Sequence, residues 1–217
     1  YNIMANPELF DGKLEVFQAA VKPEFANDLT LEGPFYRTLW HEVGHYLGVD
    51  QTTGGGDLNE ALSPWGSHYE EMKADLLSAY TSTHLNQTGM MEDSVYRSVQ
   101  AASVLRVLQK NQPRTREQPY QTMQLMQMNY FLEHGLLSFD PSDARLEIHY
   151  ERYHDVTRSM LKDVLNIQQK GDSQLATDFI NQYIKWTPDL HGRLAQRLRD
   201  ASSYRFLSVR YKGLLDE

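Results

Sequence analysis

The 217-residue chain contains no cysteine, which removes disulfides and every thiolate-based metal site, including the closed four-ligand zinc sites that hold small folds together. It has no run of 18 apolar residues, so no membrane-spanning segment is expected. Its first residues lack the basic and apolar regions of a signal peptide. It begins with Tyr1 rather than Met, as a processed or truncated chain does, and the compartment stays open between cytoplasm and periplasm. Basic residues are the minority, 21 Lys and Arg against 29 Asp and Glu, for a net charge of −8. Phosphate backbones demand concentrated Lys and Arg. The one thin cluster, 193–199, reads as a solvated helix face, so no nucleic-acid partner is expected. The glycine-rich stretch 52–57 lacks the Lys-Ser/Thr ending of a phosphate loop and reads as a connector.

The informative feature is His41-Glu42-Val43-Gly44-His45, followed after 25 residues (46 to 70) by Glu71. Residues four apart share a helix face, so His41 and His45 can turn two imidazoles toward one metal. Glu42 then points about 100° round the axis, toward the place of a metal-activated water. Glu71 offers a third ligand. Three protein ligands and one open position make the catalytic form of zinc, so the expected cofactor is one Zn2+ per chain. Glu42 is the expected general base, taking the water's proton and passing it to the leaving amine. Glu71 and Asp75, four apart beside Met72, Leu76, Leu77 and Tyr80, would otherwise read as a solvated acidic face.

The segments HEVGHYLG and ALSPWGSHYEEMKADLLSAY resemble the zinc-binding segments of the dipeptidyl peptidase III family and its shorter bacterial relatives, some of which carry the name Nudix-like hydrolase. The likeness continues through VYRSVQAASVLRVL and MQMNYFLEHGLL to about Tyr183. It implies a gluzincin-type aminopeptidase in which the second Glu of Glu70-Glu71-x-x-Ala-Asp75 is the third zinc ligand. Glu70 and Asp75 become expected acceptors for the zinc histidines, fixing their tautomers; pairing with surface Lys or Arg is the alternative. Two departures stand out. Better-known members have one extra residue between the histidines. The family's catalytic histidine also falls on Tyr120, a phenol able to donate to an oxyanion or simply an aromatic after Pro119. The resemblance further implies a two-lobed protein with much chain upstream, including a catalytic tyrosine and much of the site for the substrate terminus. Only 40 residues precede His41, so 1–217 is expected to be one helical zinc-peptidase lobe, the C-terminal part of a longer protein, with a missing N-terminal lobe as partner. The expected activity is peptide hydrolysis of dipeptidyl peptidase III type. The alternatives are a single-zinc endopeptidase and a catalytically weak zinc- or peptide-binding module.

The hydrophobic period is helical, and the expected class is mainly α with at most a short hairpin. Leu14, Phe17 and Val21 begin an amphipathic stretch that Pro23 interrupts. Phe35, Leu39, Val43 and Leu47 are expected to back the first metal helix, which Gly48 stops. Ser67 is placed to cap the second, with Glu70 in capping-box position. Further helices are expected at 94–110, 120–133, 153–170, 173–185 and 188–201, with a hairpin at 136–139 and 145–150. Met123, Leu125, Met126 and Met128 read as core rather than as soft-metal ligands. His68, His84, His134 and His191 read as capping or surface residues, and His149 and His154, five apart, suit no shared metal.

Overall fold

The computed structural model describes residues 7–108 and 119–201, the side chains of residues 8 and 119–121 excepted. Among the described residues the regular structure is mainly helical, with one two-stranded hairpin. Helix α1 spans Pro7–Ala20, α2 Glu32–Gly44, α3 Leu58–Ala61, α4 Gly66–Gln87, α5 Asp93–Leu108 and α6 Pro119–Glu133. Strands β1, Leu137–Asp140, and β2, Arg145–Ile148, pair antiparallel with Leu137 opposite Ile148 and Asp140 opposite Arg145. Helices α7, Tyr153–Lys170, α8, Ser173–Tyr183, and α9, Arg193–Ala201, complete the order. The expected helices and hairpin are present, with ends within a few residues of the expected ones; the expected 94–110 helix runs into undescribed residues after Leu108. None of the described helices is long and apolar enough to cross a membrane.

Helix α4 is the axis of the fold. It packs against α2, α5, α6 and α7, so its burial runs round the cylinder: Tyr69, Met72, Lys73, Ala74, Asp75, Leu76, Leu77 and Ser78 are all buried. A helix enclosed on most sides has no solvated stripe. Asp75 is therefore buried and Glu71 partly so, while Tyr80 is 42% exposed and stacks on His154 with ring centroids 6.0 Å apart. Ser67 does not cap α4. The helix starts two residues earlier than that cap would place it, at Gly66, with Trp65 before it and no side-chain cap, which leaves Glu70 for other partners.

The methionine cluster is core, with Met123, Leu125, Met126 and Met128 fully buried. Helix α8 is capped by Asp172, whose Oδ1 accepts from the Gln174 and Leu175 amides, both at 3.0 Å. In the hairpin turn Asp140 accepts from the Ser142 amide at 2.7 Å, and Lys22 bridges Asp140 and Asp143. Arg193 and Arg199 are exposed as expected. Arg197 is not simply solvated, because it donates to the backbone carbonyls of Ala19 and Asp143 at 2.5 and 3.2 Å. His68 and His191 are buried rather than superficial.

Candidate metal centre

The site lies where α2 crosses α4. Helix α2 turns Gly33, Arg37, His41 and Gly44 inward, residues spaced 4, 4 and 3 apart and hence on one face. The apolar backing expected from Phe35, Leu39, Val43 and Leu47 is not there: Leu39 and Leu47 are 39% and 43% exposed, and Phe35 and Val43 are half-buried. The physical reason is close approach. A Cβ on Gly44 would lie 2.9 Å from the Ala74 carbonyl oxygen and 3.0 Å from its Cα. Only a glycine lets the two backbones meet this closely. The Ser78 hydroxyl then donates to the Arg37 carbonyl at 2.7 Å, and the inward side chains of α2 meet the acids of α4.

His41, His45 and Glu71 converge. His41 Nε2 is 3.2 Å from His45 Nε2 and 3.3 Å from Glu71 Oε2, and His45 Nε2 is 4.0 Å from the same oxygen. The three groups form a set able to hold a metal ion, with ligand atoms within 4.8 Å of one another. Ligands about 2.0 to 2.1 Å from a tetrahedral zinc stand roughly 3.3 to 3.4 Å apart, close to this triangle. The outer nitrogens are engaged as well. His41 Nδ1 lies 2.7 Å from Asp75 Oδ1 and His45 Nδ1 3.0 Å from Glu70 Oε1. A carboxylate beside each Nδ1 favours the tautomer protonated there. Both Nε2 lone pairs then face each other and a carboxylate oxygen, an arrangement that repels unless a cation sits between them.

Asp75 is buried and heavily engaged. Arg37 donates to its Oδ1 through Nη1 and Nη2 at 2.8 and 3.0 Å, and Arg106 Nε and Gln127 Nε2 donate to Oδ2, each at 3.4 Å. Burial alone would raise its pKa, but Arg37, His41 and Arg106 outweigh it and hold the carboxyl well below the usual carboxylate range. Histidine contact and arginine pairing, weighed as alternatives for this residue, therefore coexist. Glu70 combines both in the same way: its Oε1 also meets Lys73 Nζ at 2.9 Å.

Glu42 is exposed, on the turn of α2 between the two histidines. Tyr120 lies in the first turn of α6, but its side chain falls outside the described residues. Arg37, Lys73, Arg106 and Gln127 were missed in the sequence. Arg37 precedes His41 by one turn and Lys73 follows Glu70 by three residues, so both had a signal at helical spacing. Arg106 and Gln127 arrive from α5 and α6 and had none.

Known proteins share this architecture. The structure of DPP III from Caldithrix abyssi superposes with a TM-score of 0.81 at 24% identity, over 89% of this chain and 37% of that one. Dipeptidyl-peptidase III from Corallococcus sp. strain EGB gives 0.78 at 19% identity, over 86% and 35%. Nudix hydrolase 3 from Arabidopsis thaliana is 26% identical over 160 residues, 72% of this chain and 20% of that protein. No protein-family model matches. The chain thus spans about a third of the solved structures and a fifth of the plant relative, and its mainly α fold is dipeptidyl peptidase III-like.

Proposed function

We propose that the chain is the zinc-bearing part of a peptide hydrolase of dipeptidyl peptidase III type, with His41, His45 and Glu71 as ligands and Glu42 as general base. The observation that carries this reading is the convergence of two imidazole Nε2 atoms and a carboxylate oxygen at 3.2 to 4.0 Å, with a carboxylate behind each imidazole. Zinc bound there supplies a Lewis acid for the peptide carbonyl and acidifies a water. Glu42, exposed beside the pair, would be the general base, accepting a proton from the attacking water and returning it to the leaving amine. Asp75 and Glu70 hold the imidazoles in their binding tautomer. Tyr120, standing where the family has histidine, is the proposed donor to the developing oxyanion. The names of the solved neighbours support a peptidase. The plant relative's name is not carried over, because the match covers only 20% of that protein.

The solved neighbours are nearly three times as long as the part matched, which supports a second lobe completing the substrate site. Positioning supplies about 7 to 11 kcal/mol of a barrier, so the 217 residues alone are expected to cleave weakly. The test is digestion of a peptide library by the zinc-loaded chain and by an N-terminally extended form, with products read by mass. Dipeptides released from the N-terminus, faster with the extended form, support the proposal. Internal cleavage at equal kcat/KM in both forms would make it an endopeptidase, and zinc binding with no cleavage in either form would make it a binding module.

A further inference from the structure

Lys73 stands between the two motif glutamates and the motif's alanine, and neither metal ligation nor proton transfer uses it. Its side chain is nonetheless 3% exposed. An ammonium taken out of water costs heavily unless it finds partners, and among the described residues Lys73 has the Glu70 carboxylate, which faces His45, and the His45 backbone carbonyl. Its Nζ lies 2.9 Å from Glu70 Oε1, the same oxygen that stands 3.0 Å from His45 Nδ1. It also donates to the His45 backbone carbonyl at 3.5 Å. His45 is the C-cap of α2, where carbonyls lack intrahelical partners and a cation is favoured.

The surrounding backbone makes room for this side chain. Gly48 adopts φ +92°, and a Cβ there would press to 3.2 Å against Lys73 Cδ. The turn that ends α2 thus runs directly over the lysine stem. The His41 half of the site follows the same plan: its acceptor Asp75 is held by Arg37, as Glu70 is held by Lys73. Glu70 has the greater need. Its side chain is 31% exposed against 3% for Asp75, so water competes for the oxygen that orients His45.

We propose that Lys73 is the positioning residue of the His45 ligand, clamping through one ammonium both the carboxylate that orients the imidazole and the carbonyl that ends its helix. This rests on the reading of the site as a zinc centre. Removing the groups that orient a ligand costs about 10- to 100-fold in metal affinity. Lys73→Met keeps the buried stem and buries no charge. It is expected to weaken zinc binding, measured by chelator competition, by about that factor, while Lys73→Arg recovers most of the loss. Glu70→Ala should weaken binding similarly. Because the lysine acts in part through the glutamate, the double variant should lose less than the sum of the two single losses.

Long-range 1H–15N spectra of the metal-free protein separate this proposal from the zinc reading. His45 should show the single Nδ1-protonated tautomer in the wild type and in Lys73→Arg, and a mixture in Lys73→Met. The Glu70→Ala variant gives the same tautomer readout at a partly exposed side chain if Lys73→Met is poorly folded. Wild-type protein that binds no zinc yet shows this tautomer pattern would sink the metal centre and leave the clamp standing. A folded Lys73→Met with wild-type zinc affinity and an unchanged His45 tautomer overturns the clamp, as do fully additive losses in the double variant.

Discussion

Asp75→Asn isolates the buried ion pair behind His41. The substitution keeps the shape of the side chain and removes its charge, leaving Arg37 with no counterion at 2.8 Å. With side chains 9% and 3% exposed, the pair falls outside the class of surface bridges contributing about 0 to 1 kcal/mol. Losing one partner of a buried pair costs about 3 to 5 kcal/mol. A chain of this size loses roughly 2 to 4 °C in Tm per kcal/mol, so a shift on the order of 10 °C is expected. The assay is urea unfolding with excess chelator, which keeps metal binding out of the difference. The pH dependence has a definite sign. Because the folded carboxyl is held below its ordinary range, its stabilisation is fully present above the unfolded value of about 3.9 and is lost as pH falls toward the folded one. The gap between wild type and variant should therefore be present at neutral pH and narrow below about pH 4. A gap under about 1 kcal/mol at pH 7, or one that widens as pH falls below about 4, would refute the reasoning.

Three other outcomes are expected. Glu42→Gln should retain zinc while peptide hydrolysis by the extended form falls at least about 10²-fold; unchanged turnover removes Glu42 as base. Gly44→Ala forces a methyl to 2.9 Å from the Ala74 carbonyl oxygen, so urea unfolding should show a loss of about 1 to 3 kcal/mol; wild-type stability would mean that α2 and α4 separate freely. Tyr120→Phe should lower kcat roughly 10-fold or more with zinc retained, and no change assigns that ring to packing alone.

The helices and the hairpin were legible in the sequence because hydrophobic period and turn residues act locally. Gly171 and Asp172 end α7 and begin α8 by local hydrogen bonds, and 140–143 turns on its own aspartates. The ligand set was legible for the same reason, since i and i+4 on α2 define one face whatever packs on it. What that face packs against was not legible. The apolar residues Phe35, Leu39, Val43 and Leu47 looked like an inner stripe, but the close approach at Gly44 gives the inside to Arg37 and His41. Burial of Asp75 and Lys73 depends on α4 being surrounded by α2, α5, α6 and α7, a tertiary fact without a periodic signature. The Glu70 capping box failed because α4 begins at Gly66 rather than after Ser67, which freed the carboxylate for His45 and Lys73.

Metal analysis of the purified chain after exhaustive dialysis, alongside Glu71→Ala, tests the zinc centre most directly. A site missing one of three ligands is incomplete. The expected result is one zinc per wild-type chain and sharply reduced occupancy in a folded Glu71→Ala protein. Wild-type chains without zinc after loading, or full occupancy in Glu71→Ala, would contradict the assignment of His41, His45 and Glu71 as the metal ligands.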